Sequence, residues 1–89
     1  MGYYVYILRC KDGTFYTGMT NNLERRLKEH NAKRGGRYTR GKTPVKLKYY
    51  EEASNIKEAM VRELEIKRWP RLKKKKMIKN PEKNLIPEL

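Results

Sequence analysis

Five side chains of this sequence combine the residue types that chemistry at a phosphate group requires. Tyrosine and histidine can transfer protons, arginine can stabilise a developing negative charge, and glutamate can hold a divalent cation. The five come from different parts of the chain: Tyr6, Tyr16, Arg26, His30 and Glu63. Their spacing leaves open whether they share a site, because separate elements must converge for the side chains to meet.

Each of these residues also has a purely structural interpretation. Tyrosines in strands usually pack with the hydroxyl group at the sheet edge, and Arg26 could extend its charged end to the surface. A lone histidine is more often a core residue than a catalyst, and Glu63 could simply pair with Lys67 one helical turn later. A carboxylate on an apolar helix face is costly unless it is paired or binds a cation, so Glu63 is the hardest of the five to explain by packing alone.

Both tyrosines lie on a predicted β-hairpin, within the stretch YYVYILRCKDGTFYTG. Tyr3–Arg9 is rich in aromatic and β-branched residues and is apolar on both alternating faces, which is typical of a strand covered on both sides. Phe15–Thr20 is its predicted partner. The sequence therefore places Tyr6 and Tyr16 on adjacent strands.

The length of the hairpin loop decides whether the two tyrosines share a face of the sheet. A two-residue Asp-Gly turn would put Tyr6 and Tyr16 on opposite faces. A three-residue loop at positions 11–13, with its glycine in the left-handed conformation, would put both on one face. A common site requires the second arrangement. We then expect two register pairs, Tyr6 with Gly18 and Tyr16 with Leu8.

Arg26 and His30 belong to a predicted helix that is capped by Asn21 or Asn22 and runs to about Asn31. Two leucines four residues apart mark its buried side. At roughly 100° per residue, Arg26 and His30 lie on that same inward side. The outward side carries Arg25, Lys28 and Glu29.

Glu63 belongs to a longer predicted helix, which follows a cap at Ser54 and ends near Trp69. Its apolar stripe comprises Ile56, Ala59, Met60, Leu64 and Ile66. Glu63 and Lys67 fall in the middle of this stripe, whereas Arg62 and Glu65 do not.

The remaining segments complete a strand, strand, helix, strand, helix, helix order. KRGGRYTRGKTP is predicted to be an exposed loop, and Val45–Glu51 alternates as a third, more exposed strand. A last short helix is expected through RLKKKKMI after Pro70. The pattern predicts an α/β fold with a small antiparallel or mixed three-stranded sheet. We expect residues 1–80 to form a single domain and residues 81–89 a tail.

The charge points to a polyanionic partner. Lys and Arg number 23 against 10 Asp and Glu, a formal net charge of +13 on 89 residues. Nucleic acid is the first expectation, DNA before RNA, and an anionic membrane surface is the second. Contact with a phosphate backbone is expected from two basic segments and one helix position: Arg34, Arg37, Arg40, Lys42, Lys67, Arg71, Lys73 and Lys74.

The composition also excludes several classes of protein. The single cysteine, Cys10, excludes an internal disulfide, and together with the single histidine it excludes a four-ligand zinc site of the Cys/His type. Any catalytic metal must then be a hard ion with oxygen ligands. No apolar run approaches the ~20 residues of a spanning helix, and no signal-peptide pattern is visible. We therefore expect a cytoplasmic protein, monomeric or weakly associating, with no membrane partner.

The ordered motifs resemble those of the GIY-YIG nucleases. YVY at positions 4–6 and YTG at positions 16–18 are similar to the two tripeptides that name the family. Arg26 follows the second tripeptide by eight residues, His30 lies one helical turn later, and EAMVRELEIKRW supplies a glutamate in the middle of the second helix. The resemblance covers essentially the whole chain, whose size and ending are similar to those of small stand-alone bacterial and archaeal members.

The resemblance implies a fold and a chemistry. The fold is a three-stranded antiparallel sheet flanked by helices, and the chemistry is hydrolysis of a phosphodiester with one Mg²⁺ or Mn²⁺. It implies active-site positions for both tyrosines, the catalytic arginine, a histidine found in part of the family and the metal-binding glutamate, which are Tyr6, Tyr16, Arg26, His30 and Glu63.

Tyr6 would position or deprotonate the attacking water. A free tyrosine has a pKa of about 10, so it would need the metal, Arg26 or His30 to lower that value. Tyr16 and His30 could share or exchange this role.

Two positions depart from the family tripeptides. Tyr4 stands in place of the first glycine, and Thr17 in place of the isoleucine. Both are positions of backbone or packing character, so the changes leave the substrate preference open. An asparagine near the end of the family domain corresponds loosely to Asn80.

The expected function is that of a metal-dependent endonuclease acting in DNA repair, recombination or processing. One alternative is a basic protein that coats or escorts nucleic acid without cutting it, and another is a subunit active only with a partner. The charge fits all three, whereas the inward positions of Glu63 and Arg26 favour the nuclease.

Overall fold

The computed structural model describes residues 2–78, and its elements follow the predicted order with one addition, α2. They are β1 (Tyr3–Arg9), β2 (Phe15–Thr20), α1 (Leu23–Asn31), α2 (Arg37–Arg40), β3 (Lys46–Ala53), α3 (Ile56–Lys67) and α4 (Arg71–Ile78). Asn80 and the expected tail at 81–89 lie outside the described residues. Within the described part of the chain, no helix is long and apolar enough to cross a membrane.

The strands form one antiparallel sheet in the order β2-β1-β3, which confirms the fold class. As predicted, the central strand β1 is covered on both sides. Val5 and Ile7 are 0% exposed on one face, and Tyr6 and Leu8 are at most 2% exposed on the other. The sheet therefore separates two apolar clusters, and residues of β1 contribute to both.

The helices divide between the two faces. On the Tyr6 face, the buried cluster is covered by the leucines of α1; on the Val5 face, α3 and the end of α4 cover the other cluster. The Tyr6-face cluster consists of Tyr6, Leu8, Cys10, Val45 and Leu47. The Val5-face cluster consists of Val5, Ile7, Tyr49, Ala59 and Ile66.

The strict alternation of faces predicted for the third strand is wrong, because β3 contains a register shift. Ile7 pairs with Tyr49 but Leu8 pairs with Leu47, so Lys48 is an extra residue on β3. Such a bulge changes the face that the following side chains occupy. Leu47 consequently packs on the Tyr6 face and Tyr49 on the Val5 face.

The buried side of α3 is rotated from the predicted stripe. Ala59 and Ile66 are fully buried, but three of the expected stripe residues are about half exposed: Ile56, Met60 and Leu64. Glu63 is inward as predicted, with its side chain 19% exposed, whereas Lys67 is 49% exposed. Arg62, which the sequence places outside the middle of the stripe, is half-buried and pairs with Glu51 on β3.

The segment predicted to be an exposed loop is partly built into the fold. It contains the short helix α2, and both Gly35 and Thr39 within it are buried. Thr39 is only 1% exposed because its hydroxyl group lies against His30 of α1. Glycine content and charge indicated a loop correctly around α2 but gave no sign of this tertiary contact.

We predict that Thr17→Val stabilises the fold. The Thr17 hydroxyl oxygen is buried and has no hydrogen-bond partner among the described residues. Valine has the same shape without the hydroxyl, so the substitution should raise the free energy of unfolding by about 1 kcal/mol. Urea denaturation measures this difference, and a lower midpoint for the variant would contradict the prediction.

Candidate active site

The β1–β2 hairpin places both candidate tyrosines on one face of the sheet. Gly13 has a positive φ of 86°, and Cys10 N–H donates to the Thr14 carbonyl across a three-residue loop. The register pairs are Tyr6 with Gly18 and Leu8 with Tyr16, as predicted. The centroids of the Tyr6 and Tyr16 rings are 6.4 Å apart.

Gly18 makes room for the Tyr6 side chain. A Cβ atom at Gly18 would lie 2.6 Å from the Tyr6 hydroxyl oxygen and 3.1 Å from the Tyr16 ring. The Tyr6 ring therefore extends over the backbone of β2, an edge strand, and brings its hydroxyl group to that edge. Any larger residue at position 18 would displace it.

α1 is fixed at both ends, which positions Arg26 and His30. At its start, the Asn22 side chain accepts a hydrogen bond from the Arg25 backbone N–H at 3.0 Å. At its end, the Asn31 side chain accepts from the Val45 N–H at 2.7 Å and donates to the Val45 carbonyl at 3.2 Å. The second pair ties the helix to the chain just before β3.

His30 is the centre of the cluster and is 0% exposed. Its Nε2 lies 3.1 Å from the Tyr6 hydroxyl oxygen, and its Nδ1 lies 2.7 Å from the Thr39 hydroxyl oxygen. The Tyr16 ring meets the imidazole edge to face, with centroids 5.3 Å apart. The structure thus brings Tyr6, Tyr16 and His30 into direct contact.

The segment around α2 forms a wall of this site that sequence reasoning missed. A Cβ atom at Gly35 would lie 2.2 Å from His30 Nδ1, so only glycine allows the backbone to pass this close to the imidazole. The Gly35 carbonyl accepts a hydrogen bond from Arg26 Nη2 at 2.7 Å. The adjacent glycines of the sequence were the available signal for this close approach, whereas nothing in the sequence marked Thr39.

Arg26 joins the cluster from α1 and is half-buried. Its Nη1 donates to the Glu29 carboxylate at 3.0 Å, so Glu29, expected to point outward, instead lies partly buried beside Arg26. The guanidinium group also interacts with the Tyr6 hydroxyl group, and this interaction acts to lower the pKa of Tyr6. Its fixed charge therefore faces the same hydroxyl group that contacts His30.

The electrostatics keep both proton-transfer groups neutral near pH 7. Burial raises the pKa of Tyr6 to about 12, and Arg26 opposes this rise without overcoming it. Burial, followed by the charge of Arg26, lowers the pKa of His30 to about 4. To act as a base by itself, Tyr6 would need a neighbour that lowers its pKa. Arg26 acts in this direction, but the effect of desolvation is larger, so the described residues alone do not provide the lowering.

Glu63 approaches from α3, on the opposite face of the sheet. Its negative charge contributes to the raised pKa of Tyr6, so the carboxylate lies within electrostatic range of that hydroxyl group. Lys67 Nζ lies 3.5 Å from its Oε1, the simple helix pair weighed from the sequence. Across residues 2–78 no group of three or more His, Cys, Asp or Glu side chains could hold a metal. A cation at Glu63 would therefore need water and phosphate oxygens, a set typical of Mg²⁺.

The candidate nucleic-acid-binding residues fall into two kinds. Arg34, Arg37 and Arg40 are exposed on and before α2. The other five contact acidic or aromatic groups. Lys42 pairs with Asp12 and lies 3.8 Å from the centre of the Tyr38 ring, and Lys67 pairs with Glu63. Arg71 stacks on Phe15, Lys73 stacks on Trp69, and half-buried Lys74 interacts electrostatically with Tyr38. Tyr38 also stacks on Tyr16, which connects this basic surface to the site.

Comparison with known proteins assigns the family. A sequence model described as the GIY-YIG catalytic domain matches residues 2–77. The chain belongs to the GIY-YIG family. This family is one of endonucleases, and its domain implies nucleic acid as the substrate.

Relatives of this GIY-YIG chain are small proteins of similar length. It is 55% identical over 75 residues to a UPF0213 protein of Clostridium perfringens, covering 84% of this chain and 81% of the relative. It is 50% identical over 76 residues to a UPF0213 protein of the archaeon Natronomonas pharaonis, covering 85% and 89% of the two chains. The expectation of a stand-alone bacterial and archaeal subfamily is confirmed.

Two solution NMR structures share the fold. The UPF0213 protein BH0048 of Bacillus halodurans is 44% identical with a TM-score of 0.55, covering 88% of this chain and 83% of that one. Protein EF2693 of E. faecalis is 34% identical with a TM-score of 0.61, covering 100% and 95%. The GIY-YIG fold expected from the motifs is thus confirmed.

The burial of neutral His30 leads to a prediction about pH. NMR titration of this histidine, the only one in the chain, should give a midpoint near pH 4 rather than 6.5. Between about pH 6.5 and pH 4 the unfolded chain binds a proton that the folded chain does not. The free energy of unfolding should therefore fall as the pH falls through this range, by at most about 3 kcal/mol. A midpoint near 6.5 would show that the imidazole is not held as described.

Proposed function

We propose that this GIY-YIG protein is a metal-dependent endonuclease that hydrolyses phosphodiester bonds of nucleic acid, with DNA the preferred substrate. The observation that carries the proposal is the environment of one hydroxyl group. Tyr6 contacts His30 at 3.1 Å, interacts with the guanidinium group of Arg26 and lies within electrostatic range of Glu63. An acid–base pair, a fixed cation and, through its charge, a carboxylate thus act on one hydroxyl group, and phosphoryl chemistry uses this combination.

In the proposed reaction, Tyr6 and His30 move the proton of the attacking water together. A neutral tyrosine is a poor base, but it can accept a proton as it releases its own. The water gives a proton to the Tyr6 oxygen, the Tyr6 hydroxyl proton passes to His30 Nε2, and the water oxygen bonds to phosphorus. The bond from phosphorus to the leaving oxygen breaks, and the imidazolium proton returns through Tyr6 to solvent or the leaving group.

Arg26 and Glu63 address the charge on phosphorus. Arg26 is held by Glu29 and Gly35, so its guanidinium group offsets negative charge on the phosphate without reorganising. Glu63 would hold Mg²⁺ or Mn²⁺, and its half-buried carboxylate, short of other protein ligands, fits an ion that keeps part of its water shell. When bound, such an ion supplies further stabilisation of the charge on phosphate and leaving oxygen. Lys67 would then lose Glu63 as its partner.

The charge of the protein supports nucleic acid as the partner. A net charge of +13 and the exposed arginines before and within α2 favour backbone contact, which is strong, salt-dependent and largely indifferent to sequence. Tyr38 and Lys42 continue this surface to Tyr16 at the site. We propose that the protein acts in the cytoplasm as a monomer or weak assembly, in repair, recombination or processing of DNA.

Glu63→Gln should abolish metal-dependent cleavage. The amide keeps the shape of the side chain but removes the charge that would hold the cation, so we expect a loss of at least about 100-fold in rate at fixed Mg²⁺. The assay incubates labelled single-stranded, duplex and branched DNA with and without Mg²⁺.

Glu65→Gln is the matched control for this experiment. Glu65 lies on the same helix, its side chain is 55% exposed, and it pairs only with Arg62 among the described residues. Cleavage by this control should equal that of the wild type. Full activity of folded Glu63→Gln would remove the metal site from the proposal, and binding of all substrates without any product would favour the non-catalytic binding protein.

Tyr6→Phe tests the proton transfer. The ring fills the same space, but the link between the attacking water and His30 is lost, so the rate should fall about 10²- to 10⁴-fold with little change in substrate affinity. Tyr3→Phe, on the same strand but on the opposite face of the sheet, should leave the rate unchanged. Equal rates for both variants would exclude Tyr6 from the chemistry.

A further inference from the structure

Thr39 contacts the one nitrogen of His30 that the proposed chemistry does not use. The hydroxyl oxygen of Thr39 lies 2.7 Å from Nδ1, and the hydroxyl oxygen of Tyr6 lies 3.1 Å from Nε2. Thr39 is 1% exposed, His30 0% and Tyr6 2%, so bulk solvent does not compete for these contacts. A neutral imidazole carries one hydrogen, and the contact at one nitrogen therefore fixes what the other can do.

The imidazole hydrogen can lie on Nε2 or on Nδ1, and the two positions have different consequences for the hydrogen bonds of Tyr6. If Nε2 carries the hydrogen, it donates to the Tyr6 oxygen, which also faces the guanidinium group of Arg26, a group that can only donate. The Tyr6 hydroxyl hydrogen would then have to find another acceptor. If Nδ1 carries the hydrogen, it donates to Thr39, and the Thr39 hydroxyl hydrogen can turn to a backbone carbonyl of the preceding turn, the usual acceptor for a threonine in a helix. Tyr6 then donates to Nε2 while its oxygen faces Arg26, and these contacts are mutually compatible.

We infer that Thr39 is a positioning residue, which holds His30 with its hydrogen on Nδ1 so that Nε2 is free to accept the proton of Tyr6. The role in catalysis rests on the proposed function, but the position of the hydrogen does not. The arrangement follows the logic of a base oriented by a third group, with a threonine hydroxyl group as the orienting acceptor. It also explains why the segment around α2 folds against the site.

The first experiment measures the hydrogen position directly in the unmodified protein. Long-range ¹H–¹⁵N spectra distinguish a protonated from an unprotonated imidazole nitrogen, and the single histidine of the chain makes the assignment unambiguous. At pH 7 we expect hydrogen on Nδ1 and none on Nε2. Hydrogen on Nε2 would overturn the inference, whatever the activity of the protein.

The second experiment removes and restores the acceptor. Thr39→Val keeps the shape but not the hydroxyl, so hydrogen on Nδ1 should no longer be favoured, and kcat should fall about 10- to 100-fold with KM unchanged. Thr39→Ser keeps the hydroxyl and should restore both the hydrogen position and most of kcat. Thr17→Val, which removes a buried hydroxyl on the other face of the sheet, should alter neither.

The outcomes separate this inference from the proposed function. If Thr39→Val is folded and keeps the hydrogen on Nδ1 and the wild-type kcat, Thr39 has no positioning role. If the wild type cleaves no substrate but the hydrogen position depends on the Thr39 hydroxyl group as expected, the nuclease proposal fails and the structural role of Thr39 stands. If Thr39→Val does not fold, Thr39→Ala removes the same hydroxyl group without adding a second methyl group, and the hydrogen position in the unmodified protein still confirms or overturns the inference.

Discussion

The site depends on the burial of an uncharged imidazole. His30 is fully buried, and each of its nitrogens contacts a hydroxyl group, one from β1 and one from α2. An imidazolium in this position would be poorly solvated and would lie beside the positive charge of Arg26, so the neutral form is the resting form near pH 7. This single contact pair ties the helix α1 to the sheet on one side and to the α2 segment on the other.

The sheet imposes a second constraint, because the candidate residues come from both of its faces. Tyr6, Tyr16 and α1 occupy one face, and α3 with Glu63 occupies the other. On the Tyr6 face, Gly18 of the edge strand β2 has no side chain, and the Tyr6 hydroxyl group lies over its backbone. Glycine at this position therefore leaves the space that the Tyr6 hydroxyl group occupies.

Several of the positively charged side chains are held by contacts within the protein rather than extended into solvent. Several cations stack on aromatic rings or pair with carboxylates: Lys42 with Tyr38 and Asp12, Arg71 with Phe15, Lys73 with Trp69. These contacts restrict the freedom of long side chains, which would reduce the entropy lost in the proposed contact with a phosphate backbone. Tyr38, stacked on Tyr16, is the point where this surface meets the buried cluster.

The sequence by itself determined the strands and the inward sides of Arg26, His30 and Glu63, because these follow from residue periodicity, which is a local property. It left open a hairpin loop of two or three residues, and only the requirement of a common site selected the register that the structure has. It did not determine the bulge at Lys48, the rotation of α3 or the burial of Thr39, since each depends on which distant residue packs against it. The same reason explains Tyr6: its residue type suggested a base, but only the tertiary structure decided that burial outweighs Arg26 and keeps the hydroxyl protonated. Solvent exclusion arises when separate elements meet, and no local pattern contains it.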